Sequence, residues 1–281
     1  MRRTTASVVL AACTAVAVTA GYGQQKQEPA ALVVKVTGSA FVVRGGGRAT
    51  VSQYMPLYLS DRLETGRQSS VEVLFDTGVN VRIEENCVVE LVSLVMVPVP
   101  KRAVKSVSME LNVRSGGVLV DGATVKEKYR LKSLKVRTPT SVAAVRGTVF
   151  YAGVGDSGSG KVAVFEGKVQ TYRAGREDDG GVEVGTGSQV VIGPADEELT
   201  VVDFDDATRA YGSSVVEDYR RAVAYYRQQL EYFKKQRDRW LRQHKDAFMR
   251  EIEQNKREFM QRREGTGDEK IKRMLNDPDF R

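Results

Sequence analysis

The sequence is poor in the residues from which most catalytic and metal centres are built. Its 281 residues include one histidine, His244, one tryptophan, Trp240, and two cysteines, Cys13 and Cys87. With one cysteine inside an N-terminal apolar run, a disulfide framework is excluded. A single histidine with those cysteines cannot supply a zinc site of the usual kind. Proline is scarce too, seven in all, and neither proline nor glycine interrupts residues 213–264.

These absences remove two decoys. Gly155-Asp156-Ser157-Gly158-Ser159 has the form of a serine-protease nucleophile loop, but its base would have to be a histidine upstream in the same β-fold, and His244 lies downstream. Residues 155–161 fit G-x-x-x-x-G-K. Val162 follows the lysine where a metal-binding Ser or Thr is needed, and a strand pattern begins there instead of a helix. The loop reads as a hairpin connection. Glu84 and Glu85 are strand neighbours that point to opposite faces and cannot share a proton. Asp178-Asp179-Gly180-Gly181 reads as a turn, with weak calcium binding left open. We expect no cofactor, no metal and no enzymatic activity.

What is present begins with Met1-Arg2-Arg3 and an apolar stretch over 6–20. This is the pattern of a signal peptide, too short for a permanent membrane span, with Val18 and Ala20 at the small-residue positions before a cut after Ala20. Leu10-Ala11-Ala12-Cys13 resembles a bacterial lipobox, and in that alternative Cys13 is lipidated and holds the chain to a membrane. Both readings place the protein outside the cytoplasm, in the periplasm or cell envelope. Cys87, within a strand-like run, is expected to be a buried small hydrophobe.

After a polar tether at 21–31, residues 32–193 give many short alternating runs split by turn signals such as Gly45-Gly46-Gly47, Asp76-Thr77-Gly78 and Ser115-Gly116-Gly117. No helical pattern intervenes, so an antiparallel sandwich or roll is expected. The run at 88–99 is strand-like, and Pro98 and Pro100 place it at an edge or exit. Residues 142–154 and 161–169 read as one hairpin around the 155–160 loop, with Arg146 and Glu166 as a cross-strand pair or a ligand contact.

Several of these segments carry a resemblance. Val145-Arg146-Gly147-Thr148-Val149-Phe150 with Val164-Phe165-Glu166-Gly167-Lys168-Val169 resembles the centre of the FecR-like domain family, named for a periplasmic regulator of ferric-citrate uptake. Gly38-Ser39-Ala40-Phe41-Val42 is similar to its opening strand. The stretch from Leu57 through Asp61 and Leu63 to Thr65-Gly66 is similar to its "L-x-x-x-D-x-[IL]-x-T-G" turn. Residues 71–83 and 111–118 resemble the next hairpin and strand, and 182–192 the last hairpin. The resemblance covers roughly 33–192 and implies a jelly-roll-like β-sandwich.

An acidic connector at 194–206 follows, in which Asp203-Phe204-Asp205-Asp206 is expected to dock on the sandwich or cap the next helix. The period then changes. Val216, Tyr219, Val223, Tyr226, Leu230 and Phe233 step by three and four, and the seam continues less cleanly through Arg237, Trp240 and His244 to Phe248 and Ile252. An unbroken helix over 213–264 would be roughly 75 Å long. We expect a coiled-coil-like helical arm at 207–264 that cannot bury its seam on the β-domain alone and so pairs with another helix, folds back as a hairpin or lies along a partner. Gly265-Thr266-Gly267 should end it, leaving a flexible tail at 265–281.

The net charge of +7 is modest, and the arm's cations are interspersed with Glu and Asp, which argues against nucleic acid. The expected function is that of an exported interaction or scaffold module, contacting envelope proteins or peptidoglycan and self-associating through the helix. The alternative is a periplasmic sensor or regulator of a FecR-type signalling system. This sequence lacks that system's cytoplasmic anti-sigma region and internal span, and would relay a signal through another membrane protein.

Overall fold

A computed structural model describes residues 28–100, 102–123, 127–145, 147–155, 157–194, 196 and 198–275, with side chains as far as 257. The expected signal peptide, Cys13, most of the tether, and Arg146 lie outside the described residues.

The chain forms strands β1 (Ala31–Thr37), β2 (Ala40–Arg44), β3 (Gly47–Thr50), β4 (Pro56–Leu57), β5 (Arg62–Thr65), β6 (Ser70–Phe75), β7 (Asn80–Ile83) and β8 (Val88–Pro98). There follow β9 (Lys105–Asp121), β10 (Tyr129–Arg137), β11 (Ser141–Val145), β12 (Val149–Val154), β13 (Gly160–Glu166), β14 (Lys168–Arg173), β15 (Val182–Gly185), β16 (Ser188–Ile192) and β17 (Val201–Asp203). They make two sheets. One runs β4-β1-β6-β7-β9-β12-β13-β16-β17. The other runs β3-β2-β5-β8-β9-β10-β11-β14-β15, and its β9–β10 pair is parallel.

Strand β9 belongs to both sheets. It pairs with β8 up to Ser115 and with β12 from Gly116 onward. The crossing falls at Gly116, where φ is +69° and a Cβ would lie 2.7 Å from Cys87 Cα. Only glycine serves there. The inner faces share one core, with Val33, Val73, Phe75, Val120 and Phe150 from the first sheet and Val42, Leu63, Val89, Leu111 and Val136 from the second. Burying each such side chain contributes about 1.5–3 kcal/mol. Cys87 sits in this core.

The central hairpin departs from the sequence reading. Residues 142–154 are two strands: β11 pairs with β10 and β14 in the second sheet, whereas β12 pairs with β9 and β13 in the first. Gly147 (φ +68°) lies between them, and Gly167 (φ +87°) plays the same part between β13 and β14. Each long run changes sheet at a left-handed glycine, a change that period-two alternation cannot register.

The helical region corrects the expected arm. Helix α1 (Asp206–Tyr211) passes through one π-helical stretch, Gly212–Val216, into α2 (Glu217–Gln228), and α3 (Leu230–Leu275) follows. Asp205 caps α1, accepting from Thr208 N at 2.7 Å. As far as Asn255 these helices lie against the β-domain instead of projecting as a coiled coil. Val216, Tyr219 and Val223 pack on Leu119 and Val149; Tyr226 and Phe233 pack on Leu32, Val34 and Leu74; Trp240, Phe248 and Ile252 enter the main core. The expectation compared one straight rod with the width of a sandwich. The backbone instead breaks at Gln229 (φ −94°, ψ 14°). This lets α2 cross the outer face of the first sheet while α3 follows the sandwich's open side. Strand β6 is therefore buried at every position. Nor do Gly265-Thr266-Gly267 end the helix, which runs through them to Leu275.

Helix α3 also closes an edge of the second sheet. Glu251 Oε1 accepts from Thr50 N at 3.3 Å, and Asn255 Nδ2 donates to Arg48 O, so helix side chains bond the outward backbone groups of edge strand β3. Gly47 permits the approach, because a Cβ there would overlap the Ile252 backbone.

Candidate functional site

Two features stand out once the helices are in place: a charged interface beneath them, and a strand edge they leave uncovered.

The interface lies on the outer face of β6, β7 and β9. Glu72, on β6, is 2% exposed. Tyr226 Oη donates to Glu72 Oε2 at 2.7 Å, Arg82 Nη1 donates to Glu72 Oε1 at 3.2 Å, and Lys35 Nζ stands 3.5 Å away. Arg82 Nε reaches Glu84 Oε1 at 3.0 Å, and Tyr211 Oη donates to the same oxygen at 2.5 Å. Arg227 Nη2 closes on Asp121 Oδ1 at 2.9 Å. On this face sheet and helices thus meet through Tyr226–Glu72, Tyr211–Glu84 and Arg227–Asp121, with apolar clusters on either side. A cavity of ≈ 370 Å³ remains at the α1 end, lined by Glu84, Tyr151, Lys161, Phe165 and Tyr211 among others.

Burial sets the protonation of this interface. The phenols of Tyr211, Tyr219 and Tyr226 are all raised, first by desolvation and then by neighbouring carboxylates, so they remain donors. Tyr219 Oη has no hydrogen-bond partner among the described residues. Burial pushes the Cys87 thiol up to about 12, and an un-ionised buried thiol is a poor nucleophile.

The sequence-selected residues separate accordingly. Val216, Tyr219, Val223, Tyr226, Phe233 and Trp240 are buried against this chain's own β-domain, and Leu230 packs beside them. Glu166 stands opposite Val149 in register and pairs with Arg220 of α2; its expected partner Arg146 lies outside the described residues. Glu72, Arg82, Asp121 and Tyr211 were missed. In V-E-V-L-F the glutamate occupies an ordinary outward position, and nothing nearby tells that a helix covers it. Among the described residues no group of three or more His, Cys, Asp or Glu could hold a metal ion.

The open edge belongs to β8. Strand β5 pairs with β8 only at Val88–Glu90, and the last contact on that side joins Leu91 to Asp61 and Ser60. From Ser93 to Pro98, β9 is the only strand paired with β8 among the described residues. Val95 and Val97 are 52% and 54% exposed, and Val92 and Met96 are exposed beside them. This overhang carries no charged residue. An uncharged, apolar, unpaired edge is a template for another strand.

Residues 61–170 match the family model described as FecR protein. Two crystal structures of an anti-sigma factor candidate from Parabacteroides distasonis are similar to this chain. One has 14% identity and a TM-score of 0.40 over 53% of this chain and 63% of that one. The other has 15% identity and a TM-score of 0.37 over 51% and 60%. The chain thus spans less than two thirds of either structure. No curated protein matches significantly. No helix among the described residues is long and apolar enough to cross a membrane.

Proposed function

We propose that this chain is a non-enzymatic regulatory component of FecR type, exported to the cell envelope, which acts by contact with another protein. Its FecR domain receives an extended strand of that partner along β8. The observation that carries this reading is the uncharged β8 overhang within the FecR-matched residues. Main-chain hydrogen bonds would supply affinity there, and the alternating Val95 and Val97 side chains specificity. The arginine-bearing start of the sequence supports export.

The scaffold reading joined β-strand edges offered to an envelope partner with a helical seam free for assembly. The β-domain covers that seam, and the regulatory reading needs only the edge. Crosslinking in cells followed by mass spectrometry tests it: recovery of a transporter or a sigma-factor regulator is expected. Recovery of structural envelope proteins alone would return the scaffold reading.

A further inference from the structure

We propose that the surface at the α2–α3 break is a groove that binds an extended oligosaccharide. This inference is independent of the β8 reading.

The groove is built on Phe233, itself 3% exposed. Around that ring stand Tyr54 at 6.1 Å, Tyr225 at 6.4 Å and Tyr232 at 5.8 Å between centroids. Tyr225 and Tyr232 are 54% and 47% exposed, large rings left in water beside a buried one. Tyr54 is held at φ +69°, an uncommon conformation for a bulky residue and one that clusters at ligand clamps. Two hollows of ≈ 330 and ≈ 370 Å³ adjoin here, sharing Gln53 and Tyr54. Their lining includes Gln229, Gln236 and Gln243, and contains no carboxylate.

The chemistry of that lining favours sugar. Pyranose rings present C–H faces that stack on aromatic rings, and hydroxyls that both give and take hydrogen bonds. Amide side chains do the same from one group, and tyrosine joins a flat apolar body to a polar tip. The spacing favours a polymer. Gln236 and Gln243, both on α3, stand seven residues apart. Seven residues of helix advance about 10 Å, close to the length of one extended disaccharide. The cations at the rim, Lys35 and Arg239, admit acidic as well as neutral sugars. The rival occupant, a proline-rich peptide lying on the same rings, is an outcome of the test below.

Trp240 supplies a reporter. It is the sole tryptophan, it lies along the second hollow with His244 stacked on it at 5.4 Å, and its Nε1 donates to Ser52 Oγ at 3.0 Å. The test titrates the full chain, reading Trp240 emission, with chitohexaose, with an alginate oligomer and with an uncharged proline-rich peptide. Sedimentation with purified peptidoglycan sacculi covers the wall polymer. We expect saturable binding to at least one glycan. Tyr225→Ala and Tyr232→Ala should each weaken it tenfold or more at unchanged melting temperature, and Tyr232→Phe should weaken it less. No saturable response to any glycan, a glycan response indifferent to both alanine variants, or binding of the peptide alone would overturn the proposal.

Discussion

The Tyr226 hydroxyl donates to Glu72 at 2.7 Å, joining residues 154 positions apart in the chain. This contact places α2 on β6 and gives a buried carboxylate one of its donors. The carboxylate's other nearby groups, Arg82 and Lys35, come from the sheet itself. Tyr226→Phe should therefore cost only about 1 kcal/mol. Arg82→Met, which leaves Glu72 and Glu84 without their shared cation, should cost about 3 kcal/mol or more. Urea unfolding of both variants checks the order.

The buried phenols predict an alkaline limit. Tyr211, Tyr219 and Tyr226 have folded pKa values raised above the unfolded value near 10. Their contribution is complete below that pH and is lost as pH rises beyond it, because the unfolded phenols ionise first. The melting temperature should fall steeply above about pH 10, and less steeply in a Tyr226→Phe variant.

Tyr219 is the exception among them. Its hydroxyl is buried without a partner among the described residues, and after desolvation the charges that act on it are Asp121 and Glu72, opposed by Arg227. Tyr219→Phe removes an unsatisfied polar group and keeps the ring. It should leave stability unchanged or raise it by about 1 kcal/mol. A loss of similar size in denaturant unfolding would contradict the reading.

Asp205 caps α1 and also accepts from Lys161 Nζ at 2.9 Å and Gln189 Nε2 at 3.0 Å. Its carboxyl is held well below the ordinary range, first by the Thr208 side chain and then by Lys161. A depressed pKa contributes stability above the unfolded value near 3.9 and loses it as pH falls below that point. Asp205→Ala should cost about 1 kcal/mol at pH 7. The difference from wild type should narrow in melts below about pH 4.

Much of this architecture was legible because particular residues have local jobs. Asp61 of the turn motif takes a bidentate grip from Arg44 at 2.7 and 2.6 Å, and Thr65 accepts from Cys87 N at 2.9 Å. Thr148 donates to Lys168 O at 2.9 Å, between the two left-handed glycines. Such short-range duties leave motifs in the sequence. The docking of the helices leaves none. The seam spacing of Val216 through Phe233 states that a face is buried, and it is silent on what buries it. Glu72 and Arg82 look like solvent-facing strand residues until α2 arrives. The open β8 edge was half visible, since Pro98 marked the exit of an apolar strand, but the shortness of β5 beside it is a matter of register.

The most direct measurement of the central claim is the yield of the in-cell partner crosslink in a Val95→Lys, Val97→Lys variant. Lysines on an exposed edge block strand addition while leaving a solvent-facing fold intact. The account predicts at least a tenfold loss of the crosslinked species at an unchanged melting temperature. An undiminished yield from a variant that melts like wild type would show that the partner does not pair along β8.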